Sequence, residues 1–245
     1  MSPPPTKLQA EKKAAAGFRP RLRAEARLAR TADRLIYRAM ELAPQPIPKH
    51  HPVAAQSILL ARISNDLSAG LRLAQVGYLL QMWAMTSTLI EHAFTVGTIG
   101  NDLARADKWF SHDMWERSPW KVSAAIRHTL AYLDIPAERH GELYHRYQQM
   151  CAAKHANPVI QRHFGVAGDD NTTRIQLDPR YLKGHVPLFQ LGMNYALQAV
   201  GIAVWAFAKD RIVDSPFNKQ LVAFTTEVIG RHRSRTRATS SAPAV

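Results

Sequence analysis

Apolar residues recur along most of this chain at intervals of three and four, the period of an amphipathic helix, and almost nowhere in strict alternation. From about Arg21, the residues Leu28, Leu35, Ala39 and Leu42 fall near one helical face, with Arg27, Arg30, Arg34 and Arg38 on the others. Pro44, Pro46, Pro48 and Pro52 end that pattern and predict an extended connector through His50 and His51. Proline lacks a backbone donor and restricts the residue before it. A second helix is expected from about Val53 to Ala74, on the stripe Leu60, Ile63, Leu67, Leu71 and Ala74. Gly77 offers a bend. The stretch from Gly77 to Gly100 (GYLLQMWAMTSTLIEHAFTVGTIG) is apolar on nearly every side, which places it at the centre of a bundle.

Further along, Asn101 or Asp102 is suited to cap a short helix through Trp109 and Phe110. Ser118-Pro119 reads as a cap followed by proline in the first turn, ahead of the inner face Trp120, Ile126, Leu130 and Leu133. Leu143, Tyr147, Met150 and Cys151 mark another buried stripe, and Asn157-Pro158 opens a short helical piece to Phe164. Residues 165–185 break the period. Gly168 to Asn171 is turn chemistry and Thr172 to Leu177 suits a brief extended segment, so this excursion is the natural place for a lid or partner contact. Val186 to Ala208 carries no charge, and Phe217 to Ile229 forms a last amphipathic helix.

These patterns predict an all-α fold, a helical bundle of about six to eight helices with one central apolar helix pair. The expected organisation is a disordered basic tail over 1–20 and a basic helix with a Pro-rich connector over 21–52. A bundle domain over 53–230 and a disordered Arg-rich tail over 231–245 complete it. With 245 residues, 46% of them apolar, the chain is long enough for a substantial core.

Charge changes the picture at the two ends. The formal net charge is +13. Residues 1–43 hold ten Lys/Arg against four Asp/Glu, and Arg231, Arg233, Arg235 and Arg237 add four more, so the ends carry most of the excess. Basic arms of this kind suit nucleic acid or an anionic surface. The apolar runs Leu73–Ile90 and Val186–Ala208 approach the length of a membrane span, about 20 residues. Gln190, Asn194 and Gln198, however, form a polar stripe that needs partners, so core helices are expected rather than spans. The start of the chain has no secretory pattern and Cys151 is a lone cysteine, which together point to a cytoplasmic setting.

Glu91 is the sharpest candidate for chemistry, because a carboxylate within an apolar helix needs a cation or must be neutralised. Arg62, Arg72, His92 and His155 are its candidate partners. His155 stands where one helix ends; beside Glu91 it would make an oriented general base, or a structural brace. No cofactor or metal is expected. There is no phosphate loop, dinucleotide glycine pattern or nucleophile elbow, and Glu142 to His145 is a lone Glu-x-x-His. Arg105/His112, Arg139/His145 and Arg180/His185 have the Arg-to-His spacing used by helical ribonucleases. Chance alone yields about three such pairs at this composition. Arg139 with His145 is the best of them.

The stretch LLARISNDLSAGLRLAQVGYLLQMWAMTSTLIEHAF, followed by YHRYQQMCAAKHANP, resembles a bacterial all-helical domain family with no established activity. Its outline is two long helices joined near a glycine, a glutamate deep in the second, and a later Tyr-containing helix ending in His. Gly77, Glu91, Tyr147 and His155 match it, whereas Thr86 and Ser87 stand where members often carry an arginine. The resemblance implies an all-α fold and a distant kinship with the nuclease-like bundles of the HEPN (higher eukaryotes and prokaryotes nucleotide-binding) superfamily. The function expected is that of a helical interaction or regulatory protein, contacting nucleic acid through its basic ends or pairing with itself or another protein. The alternatives are a metal-independent ribonuclease using Arg139 with His145 or His155, and a small membrane-associated protein.

Overall fold

The computed structural model describes residues 6–112, 118–155, 166–167, 174–175 and 183–240. The fold is all-α. Among the described residues the helices are α1 (Lys7–Arg21), α2 (Arg23–Glu41), α3 (Pro52–Val76), α4 (Leu79–Ile99), α5 (Leu103–Phe110), α6 (Val122–Tyr132), α7 (Arg139–Lys154), α8 (Val186–Ala208) and α9 (Ser215–Ser240). His51 caps α3 through its ring, accepting from the Val53 amide, and Pro52 occupies the first turn where its missing donor costs nothing. Helix α3 stops at Gly77, whose φ of 93° is left-handed backbone that favours glycine. The Tyr78 amide then donates back to the Leu73 carbonyl, 2.9 Å, and the chain turns into α4.

Helices α4 and α8, the two most apolar stretches, form the central pair. Helix α4 touches α3, α5, α6, α7 and α8, and α8 also touches α2, α3 and α9. Their close approach depends on Gly192. A Cβ there would lie within 2.9 Å of the Met82 side chain and of the Trp83 ring. The Trp83 indole donates to the Leu188 carbonyl across the same contact, 3.2 Å. Arg211, just beyond α8, ties the far end. It donates to the Gln56 side chain (2.6 Å), the Phe207 carbonyl (2.9 Å) and the Gly100 carbonyl (2.7 Å), with burial pulling its pKa down.

Several expectations are corrected. The N-terminal segment is folded from Lys7: Thr6 and Gln9 form a reciprocal capping box, the Thr6 hydroxyl accepting from the Gln9 amide and the Gln9 side chain from the Thr6 amide. Ala10, Ala14, Ala15 and Phe18 are buried, and the Phe18 ring meets Phe189 edge-on at 4.7 Å. At the other end α9 continues to Ser240, so positions 231–240 are helical rather than a disordered tail. Helix α6 begins at Val122, because its N-cap is Lys121 in extended backbone and not Ser118. In the excursion, Val166–Ala167 pairs antiparallel with Arg174–Ile175. The helical piece expected from Asn157 to Phe164 lies outside the described residues. Among the described residues one helix, Lys183–Ala208, is long and apolar enough to cross a membrane, and 78% of its apolar window is buried inside the bundle.

Candidate functional site

Glu91 meets α7 through a polar cluster of four side chains. The Tyr147 hydroxyl donates to Glu91 Oε1 at 3.0 Å and Lys154 Nζ donates to the same oxygen at 3.1 Å. Cys151 Sγ donates in turn to the Tyr147 oxygen, 3.4 Å. Tyr147, Cys151 and Lys154 are four and three residues apart, so α7 presents them on one face. Burial, more than the Cys151 and Glu91 contacts, holds the Tyr147 phenol well above its ordinary pKa. It therefore stays a donor and not a base. The cluster joins α4 to α7.

None of the four cations proposed from sequence for Glu91 is its hydrogen-bond partner. Arg62 lies 3.2 Å from Asp66, and His92 Nδ1 lies 3.2 Å from the other Asp66 oxygen without the alignment of a hydrogen bond. His155 ends α7 through its backbone amide on the Cys151 carbonyl, and its side chain is exposed. Arg139 pairs with Glu142 (3.0 Å), whereas His145 Nε2 lies 3.1 Å from the Gln149 amide nitrogen. Arg139 and His145 thus engage separate partners.

A second polar cluster, on a neighbouring face of α7, opens onto empty volume. Arg146, its side chain only 10% exposed, donates to Glu142 one turn back and to Gln198 of α8. Gln198 donates to Asn194, whose amide donates to the Val228 carbonyl of α9 at 3.0 Å. Arg146 Nη2 also lies 3.3 Å from His232 Nε2. An arginine has only donors, so in this contact the ring nitrogen is the acceptor. Beside this network lies a cleft of about 460 Å³. Arg139, Glu142, Arg146, Gln198 and His232 form its polar wall, and Ile202, Trp205 and Ile229 belong to its apolar one. The α8 stripe of Asn194 and Gln198 was legible in the sequence. Arg146 and His232 were not, although the four-residue spacing of Glu142 and Arg146 was available as a signal.

The basic ends form a third feature. Arg23, Arg27, Arg30, Arg34 and Arg38 recur at four, three, four and four along α2, and all are exposed while Leu28, Leu35 and Ile36 point inward. Arg27 donates to Glu227 of α9, and Glu227 also accepts from Arg231 at 3.2 Å. Arg38 faces Glu41 (3.3 Å) and Asp214 (3.7 Å). Among the described residues Arg23, Arg30 and Arg34 have no acidic partner. Of the sequence-predicted arginines, Arg231 and the backbone of Arg233, Arg235 and Arg237 lie on the helical extension of α9.

The chain matches no family model, no curated protein and no solved structure.

Proposed function

We propose that this is a non-enzymatic helical interaction protein that holds a nucleic-acid backbone on the face where its two basic ends meet. The observation that carries this reading is the Arg27–Glu227 ion pair, which ties α2 to α9 across 200 residues of chain. It brings the arginine stripe of α2 together with Arg231 of α9, which pairs with the same carboxylate. A basic stripe spaced along a rigid helix can follow a row of phosphates, and its exposed, unpaired members can release counterions on contact. Tyr37, 55% exposed between Arg34 and Arg38, adds a ring on which an unpaired base can stack. The ribonuclease reading gains no such support, because Arg139 and His145 engage different partners.

The test is fluorescence anisotropy with a labelled 20-nucleotide RNA and a DNA duplex over a salt series, on the full chain and on an Arg23→Gln/Arg30→Gln/Arg34→Gln variant. The three side chains are exposed, so the variant should keep its melting temperature. Each phosphate contact contributes a salt slope of about 0.7 on a single strand and 0.9 on a duplex. The variant should therefore lose about two units of slope on the RNA and nearly three on the duplex. Unchanged affinity in the variant, or binding of acidic vesicles without binding of either nucleic acid, would remove the reading.

A further inference from the structure

We infer that the cleft between α7, α8 and α9 binds a small aromatic carboxylate, its ring against Trp205, Ile202 and Ile229 and its charged end on Arg139. The size fits: about 460 Å³ lies within the range of small-molecule sites, roughly 300–1,000 Å³, which pair apolar walls with a few converging polar groups. The apolar wall is unusual for a surface. Trp205 is 46% exposed and Ile229 44% exposed, and both line this one concavity. Large apolar side chains left exposed around a concave surface mark a binding region more readily than isolated ones do. An indole at the rim favours a flat ring as its neighbour.

The charge at the other end sets the sign of the ligand. The charged side chains that line the cleft from α7 are Arg139, Glu142 and Arg146; α8 contributes none with charge, and the titratable group from α9 is His232. Both arginines share the single carboxylate of Glu142, so one positive charge is in excess. Arg146 is occupied by Glu142 and Gln198 and is held in place by them. Arg139 differs. Its side chain is 52% exposed and, among the described residues, only Nη2 is engaged, 3.0 Å from Glu142. Its Nε and Nη1 donors remain for a ligand, and a planar guanidinium matches the two oxygens of a carboxylate. A monoanion balances the excess charge.

This inference is independent of the basic face, and its test separates the two. Calorimetric titration of the full chain with 2-naphthoate and with the neutral 2-naphthamide should show saturable one-to-one binding of the acid and about tenfold weaker binding of the amide. Arg139→Gln should bring the acid to the level of the amide and leave the amide unchanged. Trp205→Ala, at an exposed position, should weaken both. The Arg23→Gln/Arg30→Gln/Arg34→Gln variant should bind both as the parent does. Equal binding of acid and amide, indifference of the acid to Arg139→Gln, or no saturable binding at millimolar ligand would overturn the proposal.

Discussion

Helix α7 carries two polar clusters on neighbouring faces, and they have different fates. Around Glu91, the carboxylate, the Tyr147 hydroxyl, the Cys151 thiol and the Lys154 ammonium are used on one another to fasten α4 to α7. Around Arg146, the same kinds of bonds fasten α7 to α8 but stand along the wall of a cleft, with Arg139 turned partly outward. A polar group inside an apolar bundle is therefore not enough to mark a site. What distinguishes a site from a brace is volume beside the polar atoms together with donors left over after the protein has satisfied itself.

Removing the central residue of each cluster should separate the two by stability. Arg146→Leu keeps bulk but leaves Gln198 without its donor inside the bundle, while Glu142, 40% exposed, keeps its pairing with Arg139, so a loss of about 1–3 kcal/mol in urea unfolding is expected. Glu91→Gln should cost about 1 kcal/mol or less, since the amide oxygen still accepts from Tyr147 and the lost pairing with Lys154 is part-exposed. Equal costs would mean that the Glu91 cluster is as deeply coupled as the cleft wall, and the distinction would fall.

Tyr147→Phe probes the brace through pH. It should cost about 1 kcal/mol near neutrality, one hydrogen bond's worth. The phenol's folded pKa is raised above its ordinary value of 10.0, chiefly by burial. A raised folded value means that this contribution is fully present below about pH 10 and is lost as pH rises beyond it, where the unfolded chain ionises first. Unfolding measured from pH 8 to 11 should therefore fall less steeply for Tyr147→Phe than for the parent. Tyr132 and Tyr195, also raised by burial, keep part of the slope in both. Parallel curves would show that Tyr147 ionises freely and that the brace is loose.

The helices were legible where large apolar residues repeat, as in α3, α4 and α8, because a stripe of Leu, Ile and Val can only be buried along one line. Helix α1 was missed for the opposite reason. Its buried face is mostly alanine, and its one large core ring, Phe18, stands near its end, so the apolar signal is faint although the capping box at Thr6 was readable. Asn194 and Gln198 signalled a need for partners without naming them. The partner, Arg146, lies 52 residues before Gln198, and such a contact is decided by how α7 and α8 pack rather than by spacing. The same holds for Glu91, whose cation is Lys154 and not the neighbouring His155: the last turn of α7 aims the lysine back at α4.

A milder substitution, at Glu227, tests whether α9 shares the basic face. Glu227 is the acidic group between Arg27 and Arg231, and Arg27 foremost holds its pKa below the ordinary 4.5. A depressed folded value contributes stability that is present above about pH 4.5 and lost as pH falls through the folded value. Both side chains are substantially exposed, so Glu227→Gln should move the melting temperature little at neutral pH. On the proposed face, however, it removes a negative charge from between two arginines. RNA affinity at low salt should then rise about two- to threefold, and the gain should vanish as salt is added. If Glu227→Gln leaves RNA binding unchanged at every salt concentration, α9 stands outside the contact surface and the stripe on α2 carries the binding alone.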